Sequence, residues 1–325
     1  MQQKKWKKTL LIGGFVFGLV ILCAGIGISL SVGKQVANGL VYMNQGNDTK
    51  QNSIMQLKQW GFNLEEFEAN YVGEDFTVEA SDGVVVPATH FQTAEKNILT
   101  GAEKQVVILV HGAGGDRVSV APLAKLYLEH GWDVLTYDQR GSGDNSDDKV
   151  SFGYFEARDV ECLVDYAVND LKADEIVVHG QSMGGATVGL YAATEHAYEN
   201  VDAVILDSPV DSMENMFREV YAQMDGSDQI PVDYVVACGD WYLKLFYDFS
   251  FADANTTTQM KENQVKTLVI LSEKDKVCLP ESVMELYNNI ATDEKTLVRV
   301  DSAHIEGAID DPEGYISRVM DFLEK

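Results

Sequence analysis

The apolar stretch Ile176 to His179 runs directly into Gly180-Gln181-Ser182-Met183-Gly184-Gly185, and helix-compatible residues follow. Glycines on both sides of a serine at such a junction allow a strained strand-to-helix turn. The turn lifts the hydroxyl above a sheet at a helix N-terminus, a setting that suits a nucleophile. A second glycine-flanked serine, in Gly141-Ser142-Gly143, follows Asp138-Gln139-Arg140 and reads as a flexible turn without a nucleophile. A serine at its free pKa is a weak nucleophile, so a base must stand within hydrogen-bond reach, and histidine is the usual one. Among the six histidines, His90 falls in an early hairpin, and His130 and His196 fall near helix ends. His179 sits in the strand before the serine, its ring turned into the sheet packing, and His111 is placed to shape a backbone loop. His304, in Asp301-Ser302-Ala303-His304, follows the last strand. It therefore lies on a loop at the carboxyl edge of the sheet, the edge that carries Ser182.

An imidazole that accepts a proton needs an acid to fix its tautomer and stabilise its charge. Asp275 and Asp207 both end strands on that edge, and chain order does not choose between them. Asp275 is favoured because its strand neighbours the one carrying His304, whereas Asp207 in Asp207-Ser208-Pro209 is explained as a turn former. Charge developing on a substrate oxygen calls for fixed donors. The amide of Met183 supplies one. The glycine-rich loop His111-Gly112-Ala113-Gly114-Gly115-Asp116 supplies the second, with the Ala113 N–H as the candidate. Such a loop could instead cradle phosphate, but Gly-x-Gly-x-x-Gly and Gly-x-x-x-x-Gly-Lys-Ser/Thr are both missing from the sequence, so no nucleotide cofactor is expected. No Cys-x-x-Cys or His/Cys cluster suggests a metal.

These residues need a scaffold. Residues 75–92 alternate around Ser81-Asp82-Gly83, which predicts a β-hairpin. Short β-branched runs follow at Val106–Val110, Val134–Tyr137, Ile176–Val178, Val204–Leu206, Leu268–Leu271 and Leu297–Val300. They lack alternation, as strands covered on both faces do. Helix-length stretches between most of them predict an α/β fold with a mostly parallel sheet and helices on both sides. Val210 to Lys266 is too long for one crossover helix and rich in aromatics, and reads as an inserted cap at about 210–262. In it Trp241, Leu245 and Phe249 fall at i, i+4 and i+8, a helix face that could line an acyl pocket above Ser182.

The N-terminus has a different character. Lys4, Lys5, Lys7 and Lys8 precede Leu10–Val32, an uncharged run of 23 residues. As a helix it spans roughly 34 Å, enough for a hydrocarbon core of ~30 Å. It is too long for the core of a cleaved signal peptide. Residues 1–32 are therefore expected to be a cytoplasmic flank and an uncleaved membrane anchor, with the rest of the chain outside. Residues 33–70, polar and rich in Gln and Asn, read as a stalk ending in a short helix. Cys23 lies in the apolar run, so Cys162, Cys238 and Cys278 permit at most one disulfide. With 25 Lys+Arg against 51 Asp+Glu the chain carries −26, and every acid lies after the anchor. So acidic a body repels phosphate backbones, and nucleic acid is not an expected partner.

His111-Gly112, the turn from Asp138 to Gly143, the elbow from Gly180 to Gly184, Asp275 and His304, in this order and spacing, resemble the α/β-hydrolase superfamily. The match covers roughly residues 76–325. Within the superfamily the chain is similar to bacterial single-pass, surface-exposed esterase-, lysophospholipase- or serine-aminopeptidase-like hydrolases. The resemblance implies an eight-stranded sheet, a helical cap after the sixth strand, a Ser182-His304-Asp275 triad in a domain over 71–325, and no cofactor. The expected activity is hydrolysis of small-molecule acyl esters at the cell membrane. Acyl transfer, amide or aminopeptide cleavage with the same triad, or a catalytically silent surface binding protein, are the alternatives, and the oligomeric state is left open.

Overall fold

The computed structural model describes the backbone of residues 2–93 and 104–325, and the side chains of these from Leu22 onward. Eight strands form one sheet: β1 (Gly73–Glu79), β2 (Val85–Phe91), β3 (Gln105–Val110), β4 (Asp133–Tyr137), β5 (Glu175–Gln181), β6 (Ala203–Asp207), β7 (Lys266–Ser272) and β8 (Lys295–Val300). Their order is β1-β2-β4-β3-β5-β6-β7-β8. Only β2 runs against its neighbours. The β1–β2 pair is the expected hairpin, and Gly83 turns it at a φ of +84°. The apolar runs predict every strand from β3 to β8, short by a residue or a few at the ends. β3 and β4 are buried at every position, which is why they carry no alternation.

One face of the sheet is covered by Leu123, Leu126 and Tyr127 of a helix over Ala121–Glu129 and by Tyr315, Ile316 and Val319 of the C-terminal helix Pro312–Leu323. Leu57 and Phe67 join the same core. They belong to two short helices, Thr49–Gln59 and Leu64–Asn70, capped at their N-termini by the side chains of Asp48 and Asn63. This corrects the expectation of a stalk over residues 33–70. The apolar residues at the helical spacing there are not a spacer's; Leu57 is 1% exposed because it is packed into the core beneath the sheet. Helices Glu156–Asn169 and Met183–Ala192 pack together and against the sheet.

The chain divides into two compact units, residues 41–217 with 251–325, which hold the whole sheet, and residues 1–40 with 218–250. In the second unit the long helix Gln2–Val41 pairs with helix Val232–Phe246. Ser29 and Tyr234 share a hydrogen bond of 2.9 Å, and the Tyr247 hydroxyl donates to Asn38 Oδ1 at 2.7 Å. Gly33 lies so close to the Cys238 carbonyl that a side chain there would collide with it. The unit is narrower than the cap expected over 210–262, since residues 210–217 and 251–262 belong with the sheet. Among the described residues no helix is long and apolar enough to cross a membrane. The lysine-rich flank and most of the expected anchor, Leu10–Val32, fall within residues 1–21, which lie outside those whose side chains are described. None of the four cysteines is in a disulfide among the described residues.

Candidate active site

Ser182 stands between β5 and the helix Met183–Ala192 with φ 57° and ψ −120°. A left-handed backbone is costly for a residue with a side chain, and it persists only where the surroundings enforce it. They do so here from both sides. The Ser182 N–H donates to the Asp207 carbonyl at 2.9 Å, and its carbonyl accepts from Ala186 N–H at 3.1 Å and Val210 N–H at 3.2 Å. The turn also presses against the next strand. A Cβ on Gly184 would lie 2.6 Å from the His111 carbonyl oxygen and closer still to that of Val110, so only glycine fits.

His304 Nε2 lies 2.9 Å from Ser182 Oγ, and its Nδ1 lies 2.7 Å from Asp275 Oδ2. Asp275 follows β7, and its other oxygen accepts the backbone N–H groups of Val277 at 2.7 Å and Cys278 at 2.9 Å. That carboxylate can only accept, so Nδ1 carries the imidazole proton and donates it to Asp275, which leaves Nε2 to accept from the serine hydroxyl. The Asp275 side chain is 1% exposed, whereas that of His304 is 18% exposed. The acid is sealed and the base is reachable. Ile305, the next residue, has φ 55°, rare for a β-branched side chain, and marks a tightly determined turn around the histidine.

A loop after β3 approaches the serine from the opposite side. A Cβ on Gly112 would lie 3.2 Å from Ser182 Cβ, a tight contact that glycine avoids as the loop closes on the serine. The buried His111 ring sets the loop's orientation. Its Nε2 accepts from the Gln139 N–H at 3.1 Å, so Nδ1 bears the proton and donates to the Gly112 carbonyl at 2.7 Å. Because a peptide group is trans, a Gly112 carbonyl held toward the ring turns the Ala113 N–H the other way. Burial lowers the pKa of His111, which keeps the ring neutral and able to make both bonds. The Met183 N–H, at the first position of its helix, lies outside the intrahelical ladder. Ala113 and Ser182 line one cleft of about 100 Å³ together with Gly112, Gln181, His304 and Ile305.

A model of the α/β hydrolase fold family matches residues 105–229. The structure superposes on the esterase Pf2001 of Pyrococcus furiosus with a TM-score of 0.62, at 19% identity and over 81% of this chain and 94% of that one. The chain has the α/β-hydrolase fold. An α/β hydrolase of Vibrio vulnificus is similar over 88% of this chain and 91% of its own, with a TM-score of 0.61 at 20% identity. In sequence, the thermostable monoacylglycerol lipase of Bacillus sp. (strain H-257) is 27% identical over 67% of this chain and 90% of the lipase. The uncharacterized protein YqkD of Bacillus subtilis is 22% identical over 78% of this chain and 82% of its own.

In this fold the rival acid, Asp207, is turned away from the base. Its Oδ2 accepts from Gln181 Nε2 and from the Tyr315 hydroxyl, each at 2.9 Å. Burial raises its pKa. The Tyr315 oxygen in turn lies 3.2 Å from His179 Nε2, and Tyr127 lies 3.0 Å from His179 Nδ1. Since Tyr315 gives its proton to Asp207, it accepts from His179 Nε2–H, and Tyr127 donates to Nδ1. Every member of this buried chain is therefore satisfied.

The aromatic stripe does not form the expected helix face. Its helix ends at Phe246, and Asp248 takes a left-handed φ of 59°, so Phe249 leaves the face that Trp241 and Leu245 occupy. Trp241 is 52% and Leu245 53% exposed, while Phe249 is buried. The residues that complete the cleft are Gln56 and Trp60, from the segment read as a stalk. Their signal in the sequence is weak: a polar helix with one tryptophan at its end.

Proposed function

We propose that this protein is a serine hydrolase that cleaves carboxylic esters of compact acyl groups, held at the cell membrane by its N-terminal segment with the catalytic domain outside. The observation that carries the reading is the unbroken hydrogen-bond chain from Ser182 Oγ through His304 to Asp275. The serine hydroxyl gives its proton to His304 Nε2 as Oγ bonds to the ester carbonyl carbon, and Asp275 stabilises the imidazolium. The Ala113 and Met183 N–H groups receive the oxyanion, at ~3 to 4 kcal/mol of barrier for each donor. Collapse of the tetrahedral species breaks the bond to the alcohol oxygen, which takes the proton from Nε2. Water then attacks the acyl-serine, gives its proton to His304, and releases the acid as the serine recovers its hydrogen. No cofactor is needed.

The names of the similar esterase and lipase support an ester over an amide. The anchor rests on the uncharged run Leu10–Val32 behind four lysines. A fluorophosphonate probe tests the chemistry: it should label the wild-type chain and not Ser182→Ala, and a folded protein that resists labelling would overturn the reading. Retention of the full chain in alkaline-extracted membranes, with the domain open to external protease on whole cells, tests the location. Release into the soluble fraction would overturn the anchor.

A further inference from the structure

Helix Thr49–Gln59 touches both loops that make the site. Asn52 Nδ2 donates to the Gly114 carbonyl at 3.2 Å, and Ser53 Oγ accepts from the Asp116 N–H at 3.0 Å, so the helix braces the loop that carries Ala113. Two turns further on, Trp60 Nε1 donates to Glu306 Oε1 at 3.2 Å, which ties the helix to the loop carrying His304. Between these ties Gln56 and Trp60 face the cleft beside Ser182. The space left, about 100 Å³, is well below the ~300 Å³ at which sites for larger ligands begin.

On the reading of Ser182 as an ester-cleaving nucleophile, we infer that Gln56 and Trp60 are the specificity wall of the acyl site and restrict the enzyme to short acyl chains. An acyl group on Ser182 Oγ, its oxygen toward Ala113 and Met183, must fit in that cleft. Trp60 is held across it by the Glu306 bond and by packing on the core. Two loops that follow separate strands, β3 in the middle of the sheet and β8 at its edge, could drift apart without closing the site to long chains; the helix that joins them fixes the wall at one distance.

Rates of Ser182 labelling by an ethyl and an octyl fluorophosphonate, measured on the full chain, test this. The wild type should favour the ethyl probe. Trp60→Ala and Gln56→Ala should each raise the octyl-to-ethyl ratio by about tenfold or more, since one methylene in a tight pocket is worth at least that much discrimination. Trp60→Phe, which keeps the bulk and loses the bond to Glu306, should stay near the wild-type ratio. The ratio is internal to each variant, so partial loss of folded protein cancels, and Gln56→Ala on the half-buried helix face covers the case in which Trp60→Ala does not fold. Labelling with an unchanged ratio in both alanine variants overturns the wall alone. No labelling of any folded protein overturns the serine nucleophile and the wall with it.

Discussion

His304 and His179 each bond to a hydroxyl and connect to an aspartate, yet their surroundings give them opposite capacities. His304 meets Ser182 and Asp275 at the rim of a cleft, with 18% of its side chain exposed. His179 meets Tyr127 and Tyr315 in the core and reaches Asp207 through the second, with no exposure. Burial drives the pKa of His179 down to about 3, so its ring stays neutral and keeps the proton pattern that its three partners require. A general base must take up a proton and give it back, which needs a charged state that the site tolerates. The same residue types make a machine in one place and a rivet in the other, and solvent access separates them.

Breaking either cluster should show the difference. Ser182→Ala should lower ester hydrolysis by at least ~10⁴-fold, as when the nucleophile of a triad is lost. Asp275→Asn should cost about 10⁴-fold by favouring the wrong tautomer of His304. Asp207→Asn should keep activity within about tenfold and instead lower the urea midpoint, because it disturbs a satisfied buried bond; equal losses of kcat/KM in the two variants would erase the distinction.

Acid should act on the rivet. The folded pKa of His179, about 3, lies below its ordinary 6.5. Between those values the unfolded chain binds a proton that the folded chain refuses, so this contribution to stability is full above pH 6.5 and is lost as pH falls toward 3. The slope is about 1.4 kcal/mol per pH unit, or roughly 2 kcal/mol by pH 5. Urea unfolding at pH 7 and pH 5 should show that part of the decline in the wild type and lose it in His179→Gln. The smallest effect belongs to Tyr127→Phe, which removes the donor to His179 Nδ1 and should cost about 1 kcal/mol while leaving ester hydrolysis within a few fold.

The elbow was readable because its chemistry is local: Gly180, Ser182 and Gly184 lie within five residues, and the backbone they build needs those types. The strands were readable because burial on both faces leaves uninterrupted β-branched runs. Asp275 could be favoured over Asp207 from strand order, although only the side-chain geometry separates a carboxylate facing His304 from one facing Tyr315. Two readings failed for opposite reasons. The stripe Trp241, Leu245, Phe249 had the spacing of a helix face, but its last member lies past the helix end at Phe246. The segment 49–60 looked like a spacer because it is mostly polar: its one buried apolar residue is Leu57, and its ties to the site loops run through Asn52, Ser53 and the indole N–H of Trp60.

The bond from Trp60 to Glu306 joins residues 246 positions apart in the chain. Closing so wide a loop costs entropy that nearby contacts do not repay until both ends are ordered. During synthesis the helix at residues 49–59 emerges early and must wait for nearly the whole remainder of the chain before its partner exists. The nucleophile turn can form once β6 is made, since Asp207 and Val210 hold the Ser182 backbone. A ribosome-bound fragment that extends past Val210 thus carries the elbow without His304 and without the anchor of Trp60, and the hydrogen-bond chain at Ser182 closes only when the last strand and its histidine are in place.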